Sequence, residues 1–403
     1  MTTTKRLLWA PALTLALALA QPAAAQKKYP PGVTDNEIKI GQTMPYSGPA
    51  SAYGTIGKAE TAYFNMINEK GGINGRKIAL ISVDDGYSPP KTVEQVRKLV
   101  EQEQVAFTFN TLGTPPNSAI QKYLNERKVP QLFVATGATK WGDPEHFPWT
   151  IGFQPTYQTE GHIFAKYILE KMPNAKIGVL YQNDDYGKDY LKGLKDGLGD
   201  KAAKLIIAEM TYEVTDPTID SQIVSLQASG ADVFYDVSTP KFAAQAIRKT
   251  YDIGWKPLHL LNSVSASVAS VMTPAGLEKG VGVVSLAYFK DPTDPQWKDD
   301  AAFKEWLAWM GKYYPEGDKT DAFNVYGYNL AMTMVQVLKQ CGNDLTRENI
   351  MRQAANLDFT PPMFLPGVKV STKPTQFFPV REMQLAKFNG KIFERFGEVI
   401  KSE

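Results

Sequence analysis

Apolar and polar positions near the start of the chain predict one strand followed by one helix. Ile38 and Ile40 alternate with polar residues, which is typical of a strand with one apolar face. Residues 59–67 then repeat apolar side chains at the three- and four-residue spacing of a helix face, and the glycine pair at 71–72 can end that helix. The pattern indicates the first strand–helix unit of an open α/β sheet. The turn at the carboxyl end of this strand carries Tyr53, and ligands bind at such turns.

The alternation of strands and helices then continues along the chain. Further strands are predicted over residues 77–83, 105–109, 131–134, 176–181, 204–210, 232–236, 259–261 and 282–286. Helices are predicted over residues 90–102, 117–127, 157–171, 189–198, 221–229 and 240–251. Successive strand–helix–strand units form mostly parallel sheets covered on both faces, so the fold class is α/β. Because the pattern restarts near residue 157, we expect two similar lobes with a ligand cleft between them.

The last third of the chain has a different pattern. Long helices are predicted over residues 301–314 and 322–340. Residues 383–388 and 392–396 are predicted to pair as a hairpin, because Asn389-Gly390 between them is a strong turn signal.

Residues 1–25 have the features of a cleaved secretory signal. A short basic segment with Lys5 and Arg6 precedes an apolar run over residues 7–20, and Ala23-Ala24-Ala25 offers a cleavage point before Gln26. The apolar run is shorter than the roughly 20 residues of a membrane-spanning helix. No cysteine lies near the cleavage point, so a lipid anchor is not expected. The sequence therefore predicts a soluble protein exported to the periplasm.

Charge and cysteine content narrow the function further. Removing the predicted signal leaves 44 − 2 = 42 Lys and Arg against 42 Asp and Glu. This balance gives no general attraction to nucleic acid or to an anionic membrane. The single cysteine, Cys341, lies in a helical pattern among apolar residues and is expected to be buried without a disulfide.

No motif for catalysis or metal binding stands out. The chain has no GxxxxGK[ST] loop, no HExxH and no GxSxG, and its three histidines are scattered. We therefore predict no cofactor, no metal site and no catalytic residue. Two acidic pairs, Asp84-Asp85 and Asp184-Asp185, follow predicted strands, where catalytic carboxylates often lie. Helix caps and turns need the same residues, so an exported hydrolase is only an alternative.

Two loops are candidates for binding a carboxylate. Residues 110–117 (NTLGTPPN) follow a strand and open a helix, whose free N–H groups attract anions. Pro115 and Pro116 have no N–H, so the donors are expected at Gly113 and Thr114, together with the Thr114 hydroxyl. Residues 135–139 (ATGAT) follow the next strand, and the two loops could grip both oxygens of one carboxylate, although ordinary turns use the same residues.

Taken together, these residues resemble the branched-chain amino acid (leucine-binding) family of periplasmic solute-binding proteins of ABC transporters. The resemblance covers nearly the whole chain after the signal. It rests on the order and spacing of Ser47-Gly48-Pro49, Tyr53-Gly54, residues 68–75 (NEKGGING), Asp84-Asp85, residues 136–139 (TGAT), Asp185-Tyr186-Gly187 and residues 230–235 (GADVFY).

The resemblance implies a type I periplasmic binding protein: two Rossmann-like lobes joined by three crossovers that close over a ligand by hinge bending. Lobe one would comprise residues 36–154 and 288–360, and lobe two residues 155–287 and 361–403. The ligand carboxylate would be held by positions matching Gly113, Thr114, Ala138 and Thr139. Tyr53 would pack on the ligand, and Tyr186 would face it from the second lobe.

One departure from the family pattern concerns the ligand's ammonium group. Amino-acid-binding members carry a glutamate after a late strand of the second lobe, whereas residues 262–268 here read NSVSASV. Either Asp236 replaces this glutamate or the ligand has no ammonium, and we favour the second interpretation because an unpaired buried ammonium is costly. Ser265 in this loop is a candidate ligand contact. Aromatic walls are expected from Tyr46, Tyr53, Tyr186, Tyr288, Phe289 and Tyr326.

The leading hypothesis is a monomeric binding protein that delivers a small aromatic or aliphatic carboxylate to the membrane permease of an ABC transporter. Binding of a branched-chain amino acid by the same mechanism is one alternative. A ligand-sensing module of a signalling system is another, because the same fold serves sensors.

Overall fold

The computed structural model describes residues 1–3 and 29–401 of the 403-residue chain. The strands are β1 (Glu37–Met44), β2 (Lys77–Asp84), β3 (Phe107–Phe109), β4 (Gln131–Val134), β5 (Thr150–Gly152), β6 (Ile177–Gln182), β7 (Ile206–Tyr212), β8 (Val233–Val237), β9 (Leu258–Leu261), β10 (Val284–Ala287), β11 (Asp358–Phe359), β12 (Val370–Ser371), β13 (Glu382–Phe388) and β14 (Phe393–Lys401).

The helices are α1 (Gly54–Glu69), α2 (Pro89–Glu101), α3 (Thr114–Glu126), α4 (Tyr157–Lys171), α5 (Asp185–Leu198), α6 (Ala202–Leu205), α7 (Asp220–Ala228), α8 (Pro240–Asp252), α9 (Thr273–Ala275), α10 (Ala301–Tyr313), α11 (Ala322–Cys341) and α12 (Arg347–Ala354). Within the described part of the chain, no helix combines the length and apolar character needed to cross a membrane. Apart from residues 1–3, the predicted signal lies outside the described residues.

The first sheet contains β1 to β5 in the parallel order β2-β1-β3-β4-β5. Helix α1 packs against α10 and α11, and α2 packs against α3. Phe64 of α1 meets Phe109 of β3 with ring centroids 5.7 Å apart, which ties the helix to the sheet. Because all five strands are parallel, their carboxyl ends lie along one edge, where the predicted binding loops follow β3 and β4.

The second sheet has the order β14-β13-β10-β9-β8-β6-β7. Strands β6 to β10 are parallel, whereas β13 is antiparallel to β10 and β14 is antiparallel to β13. The predicted C-terminal hairpin is therefore the edge of this sheet. Helix α4 packs against α5, and α7 packs against α8.

The α/β fold class with two parallel-sheet lobes is confirmed. The chain passes between the sheets three times: between β5 and α4, after β10, and before β13. The residue boundaries of the two lobes stay a prediction.

Some elements differ from the sequence-based expectation. Helix α3 begins at Thr114 rather than Asn117, because proline is favoured in the first turn, where its missing N–H costs nothing. Helix α5 begins at Asp185 because Asp184 caps it by accepting from the Tyr186 N–H at 2.9 Å. Strand β5 and helix α12 were not predicted.

The two lobes touch at several points across the cleft. Asp321, which caps α11, accepts hydrogen bonds from the hydroxyls of Ser267 at 3.0 Å and Ser270 at 2.7 Å. Near the other side of the cleft, the Lys140 ammonium lies 3.1 Å from the Asp185 carboxylate of α5. These contacts hold the lobes close together over the space between the sheets.

Candidate functional site

A cavity lies between the lobes, at the carboxyl ends of the strands. Clefts between two lobes are common places for small-molecule sites. Nearly half of its lining residues are aromatic: Tyr53, Tyr87, Tyr157, Tyr186, Tyr288, Tyr326, Phe289 and Phe323. The other lining residues are Ile56, Leu112, Gly113, Thr114, Ala135, Gln154, Thr239, Ser263 and Val264.

The cavity wall is uncharged. Of the described residues, no Asp, Glu, Lys, Arg or His lines it. Burial raises the pKa of Tyr53, Tyr87 and Tyr186, so these phenols stay neutral. A ligand charge would therefore meet hydroxyl groups and backbone dipoles, with no oppositely charged side chain to pair with.

Thr114, at the first position of α3, contributes a hydroxyl group to the wall of this cavity. The Thr136 hydroxyl oxygen accepts from the Ala138 N–H and from the Trp141 indole N–H, both at 3.2 Å. Since a hydroxyl has two lone pairs and one hydrogen, the Thr136 hydrogen must point to the Thr114 oxygen, 2.6 Å away. The Thr114 hydrogen is then left for another acceptor. The Tyr157 hydroxyl interacts with the Thr114 hydroxyl, so a ligand oxygen would take this hydrogen in competition with the Tyr157 oxygen.

The start of α3 adds a second donor at the same residue. Gly113 caps the helix with φ of 98°, and its N–H donates to the Ala135 carbonyl at 3.2 Å. Pro115 and Pro116 contribute no N–H, so the free backbone donor of this helix start is at Thr114. The positive end of the helix dipole also points here. Of the two backbone donors predicted from the sequence, the Gly113 N–H is used by Ala135, and the Thr114 N–H remains for an anion.

Gly113 is also needed for space. A Cβ atom added at this residue would lie 2.4 Å from Cε2 of Tyr87, which is closer than any real contact. The absence of a side chain at Gly113 therefore lets the Tyr87 ring form part of the cavity wall.

Ala138 and Thr139 lie beside the cavity without lining it. The Ala138 N–H donates to Thr136, as described above, so Ala138 acts on the site by orienting the Thr136 hydroxyl. Both Thr139 donors go to Asp189 of α5: its N–H at 2.8 Å and its hydroxyl at 2.9 Å from Oδ2. Thr139 therefore joins the lobes in this structure, and a direct contact of either residue with ligand stays a prediction.

Tyr53 and Tyr186 both line the cavity, from opposite lobes. The Tyr53 hydroxyl donates to the Val264 carbonyl at 3.0 Å, and its ring lies 5.1 Å from that of Phe323. The Tyr186 hydroxyl accepts a hydrogen bond from the Asn262 side-chain amide. Both rings are thereby fixed in orientation before any ligand is present, although their contact with ligand stays a prediction.

Asp236 and Ser265 do not line the cavity. Asp236 is fully buried and lies 3.0 Å from Nε2 of His259, while its other oxygen accepts from the Ser238 hydroxyl. The Ser265 hydroxyl donates to the Ser238 carbonyl at 2.5 Å. Asp236 is therefore already occupied and is not placed to pair with a ligand ammonium.

Comparison with known proteins agrees with this geometry. A family model described as periplasmic binding protein matches residues 37–391. The chain belongs to the periplasmic binding protein family. The resemblance to its branched-chain amino acid (leucine-binding) members is confirmed.

Three similar proteins illustrate the match. Leu/Ile/Val-binding protein homolog 1 of Brucella abortus (strain 2308) is 28% identical over 327 residues, 77% of this chain and 81% of the relative. A branched-chain amino acid ABC transporter structure from Thermus thermophilus with bound valine has a TM-score of 0.82 at 15% identity, covering 92% of this chain and 98% of that one. An ABC-transporter solute-binding protein from R. palustris in complex with benzoate has a TM-score of 0.76 at 19% identity, covering 91% and 98%.

The acidic pairs of this periplasmic binding protein hold turns and helix starts together. Asp84 accepts from the N–H groups of Tyr46 at 2.9 Å and Ser47 at 3.1 Å, which fixes the turn after β1. Asp85 accepts from the Tyr87 N–H at 2.9 Å, and Asp184 caps α5. Within residues 29–401, no group of three or more His, Cys, Asp and Glu could hold a metal ion.

A buried carboxyl group supports the second-lobe side of the site. Both oxygens of Glu160, on α4, accept from Ser263: the N–H at 3.0 Å and the hydroxyl at 2.6 Å. The Tyr190 hydroxyl also donates to Glu160, at 2.8 Å. Burial raises the pKa of Glu160 to about 7 despite these donors. Ser263 and Val264 both line the cavity, so Glu160 positions this part of its wall.

The binding protein also uses residues that the sequence did not single out. Tyr87 and Tyr157 supply walls, while Gln154 and Thr239 each have a side-chain oxygen without a protein partner among the described residues. Tyr87 follows the end of β2 and Thr239 follows β8, so their places after strand ends were a usable signal.

Tyr46 was predicted as part of the cavity wall, but it does not line the cavity. Its hydroxyl instead forms a hydrogen bond with the Ser82 hydroxyl at 2.6 Å.

Proposed function

We propose that this protein binds a small monocarboxylic acid that has an apolar aromatic or aliphatic body and no ammonium group. The observation that carries the proposal is an uncharged cavity with aromatic walls that has the Thr114 hydroxyl and the unpaired Thr114 N–H at the start of α3 in its lining. A carboxylate accepting from the Thr114 hydroxyl and N–H would sit at the positive end of α3. The tyrosine and phenylalanine rings would bury the body of the acid.

The uncharged wall also argues against an amino acid as the ligand. An α-ammonium in this cavity would lose its water without gaining a carboxylate partner, which costs several kcal/mol. Asp236 is bonded to His259 and Ser238, so it does not substitute for the missing glutamate. Relatives named for leucine, isoleucine and valine keep branched-chain amino acids as the second candidate. The benzoate complex of the R. palustris protein shows that this fold can take an acid without an ammonium.

In the proposed role, the acid binds between separated lobes and the lobes close over it. The contacts of Tyr53 with Val264 and of Asp321 with Ser267 and Ser270 support this mechanism, because they join the lobes only when the cleft is shut. The closed protein would present the acid to the permease of an ABC transporter as a monomer, without cofactor or catalytic step. A sensing role would use the same closure, with a signalling partner in place of the permease.

The test compares acids with their amino-acid counterparts. We would measure thermal shifts and titration calorimetry of the purified protein with 4-methylpentanoate against leucine, and with 3-phenylpropanoate against phenylalanine. Each pair differs only by the ammonium group. We expect the deaminated acids to raise the melting temperature by mass action and to bind at least a hundredfold more tightly than their counterparts.

The opposite order would contradict the proposal. Tighter binding of leucine than of 4-methylpentanoate would show that the protein supplies an ammonium partner. Absence of binding by every acid, including benzoate and phenylacetate, would exclude a monocarboxylate ligand of this kind.

A further inference from the structure

A second cavity adjoins the first. It is enclosed by strands β10, β13 and β14 and by the segment that leaves β10 towards the other lobe. Ser263, Tyr288 and Phe289 line both cavities. The two cavities therefore share one wall.

The floor of the second cavity is a row of three paired residues. Ser285 of β10 is opposite Ala386 of β13, and Ala386 is opposite Arg395 of β14. Residues that pair in register lie on the same face of a sheet, and all three line the cavity. The small side chains of Ser285 and Ala386 leave the space empty, and the long side chain of Arg395 closes the end of the row.

Two polar groups in this row lack partners. Ser285 is fully buried, at 0% exposure, and its hydroxyl bonds to no protein group among the described residues. The Arg395 Nε likewise has no partner within that part of the chain. Its other nitrogens are used: Nη1 donates to Gln384 at 2.9 Å and Nη2 to Gln296 at 2.5 Å. In a cavity, such a hydroxyl and such an N–H can each bond to a polar atom from outside the protein.

The charged residues around the second cavity restrict the kind of ligand group that fits beside Ser285. Asp291 and Asp294 also line the cavity, while Arg395 is its only cation among the described residues. A second anion would face these carboxyl groups at close range. A neutral oxygen, such as a hydroxyl or carbonyl, can accept from Ser285 or Arg395 without that repulsion. Leu286, Ala287 and Phe393 offer apolar surface to the atoms that lead up to it.

We propose that the second cavity is a subsite for the far end of an elongated acid, which carries a neutral oxygen there. This inference rests on the proposed function, because it places the carboxylate of the same ligand at Thr114. The body of the acid fills the aromatic cavity and passes the shared wall beside Phe289. This side chain is partly exposed, whereas its neighbour Tyr288 is buried. The far oxygen then accepts from the Ser285 hydroxyl and the Arg395 Nε.

The test uses acids that differ in length and in one oxygen. We would titrate the purified protein with phenylacetate, 6-phenylhexanoate and 6-(4-hydroxyphenyl)hexanoate. Ala386→Leu fills the middle of the row, and Lys387→Leu places the same side chain at the next, exposed residue as a control. Ser285→Ala removes the unpartnered hydroxyl and leaves the space unchanged.

We expect Ala386→Leu to weaken both long acids at least tenfold and phenylacetate less than twofold, with Lys387→Leu unchanged. The wild-type protein should bind the hydroxylated long acid at least fivefold more tightly than the other long acid. Ser285→Ala should reduce that preference to less than twofold. If Ala386→Leu does not fold, Ala287→Leu fills the same cavity from β10.

Two results would overturn the inference while leaving the proposed function intact. One is that Ala386→Leu binds the long acids as tightly as the wild-type protein does. The other is that the wild-type protein binds phenylacetate but neither long acid. Failure of all three acids to bind the wild-type protein would instead refute the proposed function, and this inference with it.

Discussion

The Tyr53 hydroxyl donates a hydrogen bond to the Val264 backbone carbonyl, 3.0 Å away on the other lobe. Tyr53 thus lines the first cavity and also bridges the cleft. Because its ring is fixed by Phe323, the hydroxyl reaches Val264 only when the lobes are close. In the proposed mechanism, Tyr53 would therefore couple the packing of a ligand on its ring to the closure of the lobes.

Tyr53→Phe should weaken ligand binding by about 1 kcal/mol, or roughly fivefold, because it removes one hydrogen bond of the closed form and keeps the ring. Calorimetry gives the affinity, and small-angle scattering gives the compactness with saturating ligand. Tyr63→Phe is the matched control, since Tyr63 packs within lobe one against Tyr328. Equal losses of affinity in Tyr53→Phe and Tyr63→Phe would show that the hydrogen bond from Tyr53 to Val264 has no specific effect on binding.

Thr114→Val should weaken binding of a carboxylate by about 1–3 kcal/mol, because it removes the hydroxyl donor and keeps the shape of the side chain. The variant retains the Thr114 backbone N–H, so some binding should persist. Thr333→Val serves as control: this buried threonine donates to the Asn329 carbonyl within α11. Unchanged affinity in Thr114→Val would place the carboxylate elsewhere in the cavity.

Glu160 should make the free energy of unfolding depend on pH. Its pKa is raised to about 7 in the folded state from an ordinary value of 4.5, so the unfolded chain loses this proton at lower pH. Stability from this group is therefore full below about pH 4.5, falls as pH rises towards 7, and stays low above it. Between pH 5.5 and 7.5 the expected loss is about 2 kcal/mol.

Urea unfolding of the wild-type protein and Glu160→Gln across this pH range measures that loss. The variant keeps an oxygen for the Ser263 N–H but cannot titrate, so its stability should fall by about 2 kcal/mol less over the range. Glu94→Gln, an exposed change beside Lys98, should leave the wild-type slope intact. Parallel pH curves for wild type and Glu160→Gln would mean that Glu160 is ionised throughout.

Gly113→Ala should lower both stability and affinity. The substituted residue would have to adopt φ of 98°, which costs about 1–3 kcal/mol, and its Cβ would displace the Tyr87 ring from the cavity wall. Gly311→Ala is the control, because Gly311 lies inside α10 with no atom within 4 Å of an added Cβ. That control should stabilise the protein slightly. A normal melting temperature and affinity for Gly113→Ala would contradict the steric argument.

The fold could be predicted from the sequence because long apolar periods decide most of its elements. Helices α4 and α11 have the predicted positions to within a residue. Strand β5 was missed because three residues are too short to show a period. The start of α5 was placed too late because Asp184 and Asp185 were considered as an acidic pair, whereas Asp184 caps the helix.

The site was less predictable, because hydrogen-bond partners depend on the packed structure. Thr114 and Tyr53 follow strand ends, and that position alone made them candidates. Nothing in the sequence indicates that Asp189 takes both Thr139 donors, since these residues belong to different lobes. The wall formed by Tyr157 also depends on how α4 packs beside the first lobe.

Two hydrogen bonds, one between Thr114 and Thr136 and one between Thr136 and the Trp141 indole, connect the proposed anion position to a fluorescent side chain. A carboxylate that accepts from Thr114 polarises the Thr136 hydroxyl, and hydrogen bonds in such a chain strengthen one another. The hydrogen bond of the Trp141 indole N–H to Thr136 would strengthen as a result, although Trp141 is buried and does not line the cavity. In a variant that keeps Trp141 and replaces the other six tryptophans, emission would therefore report occupancy of the proposed anion position, without any label on the ligand.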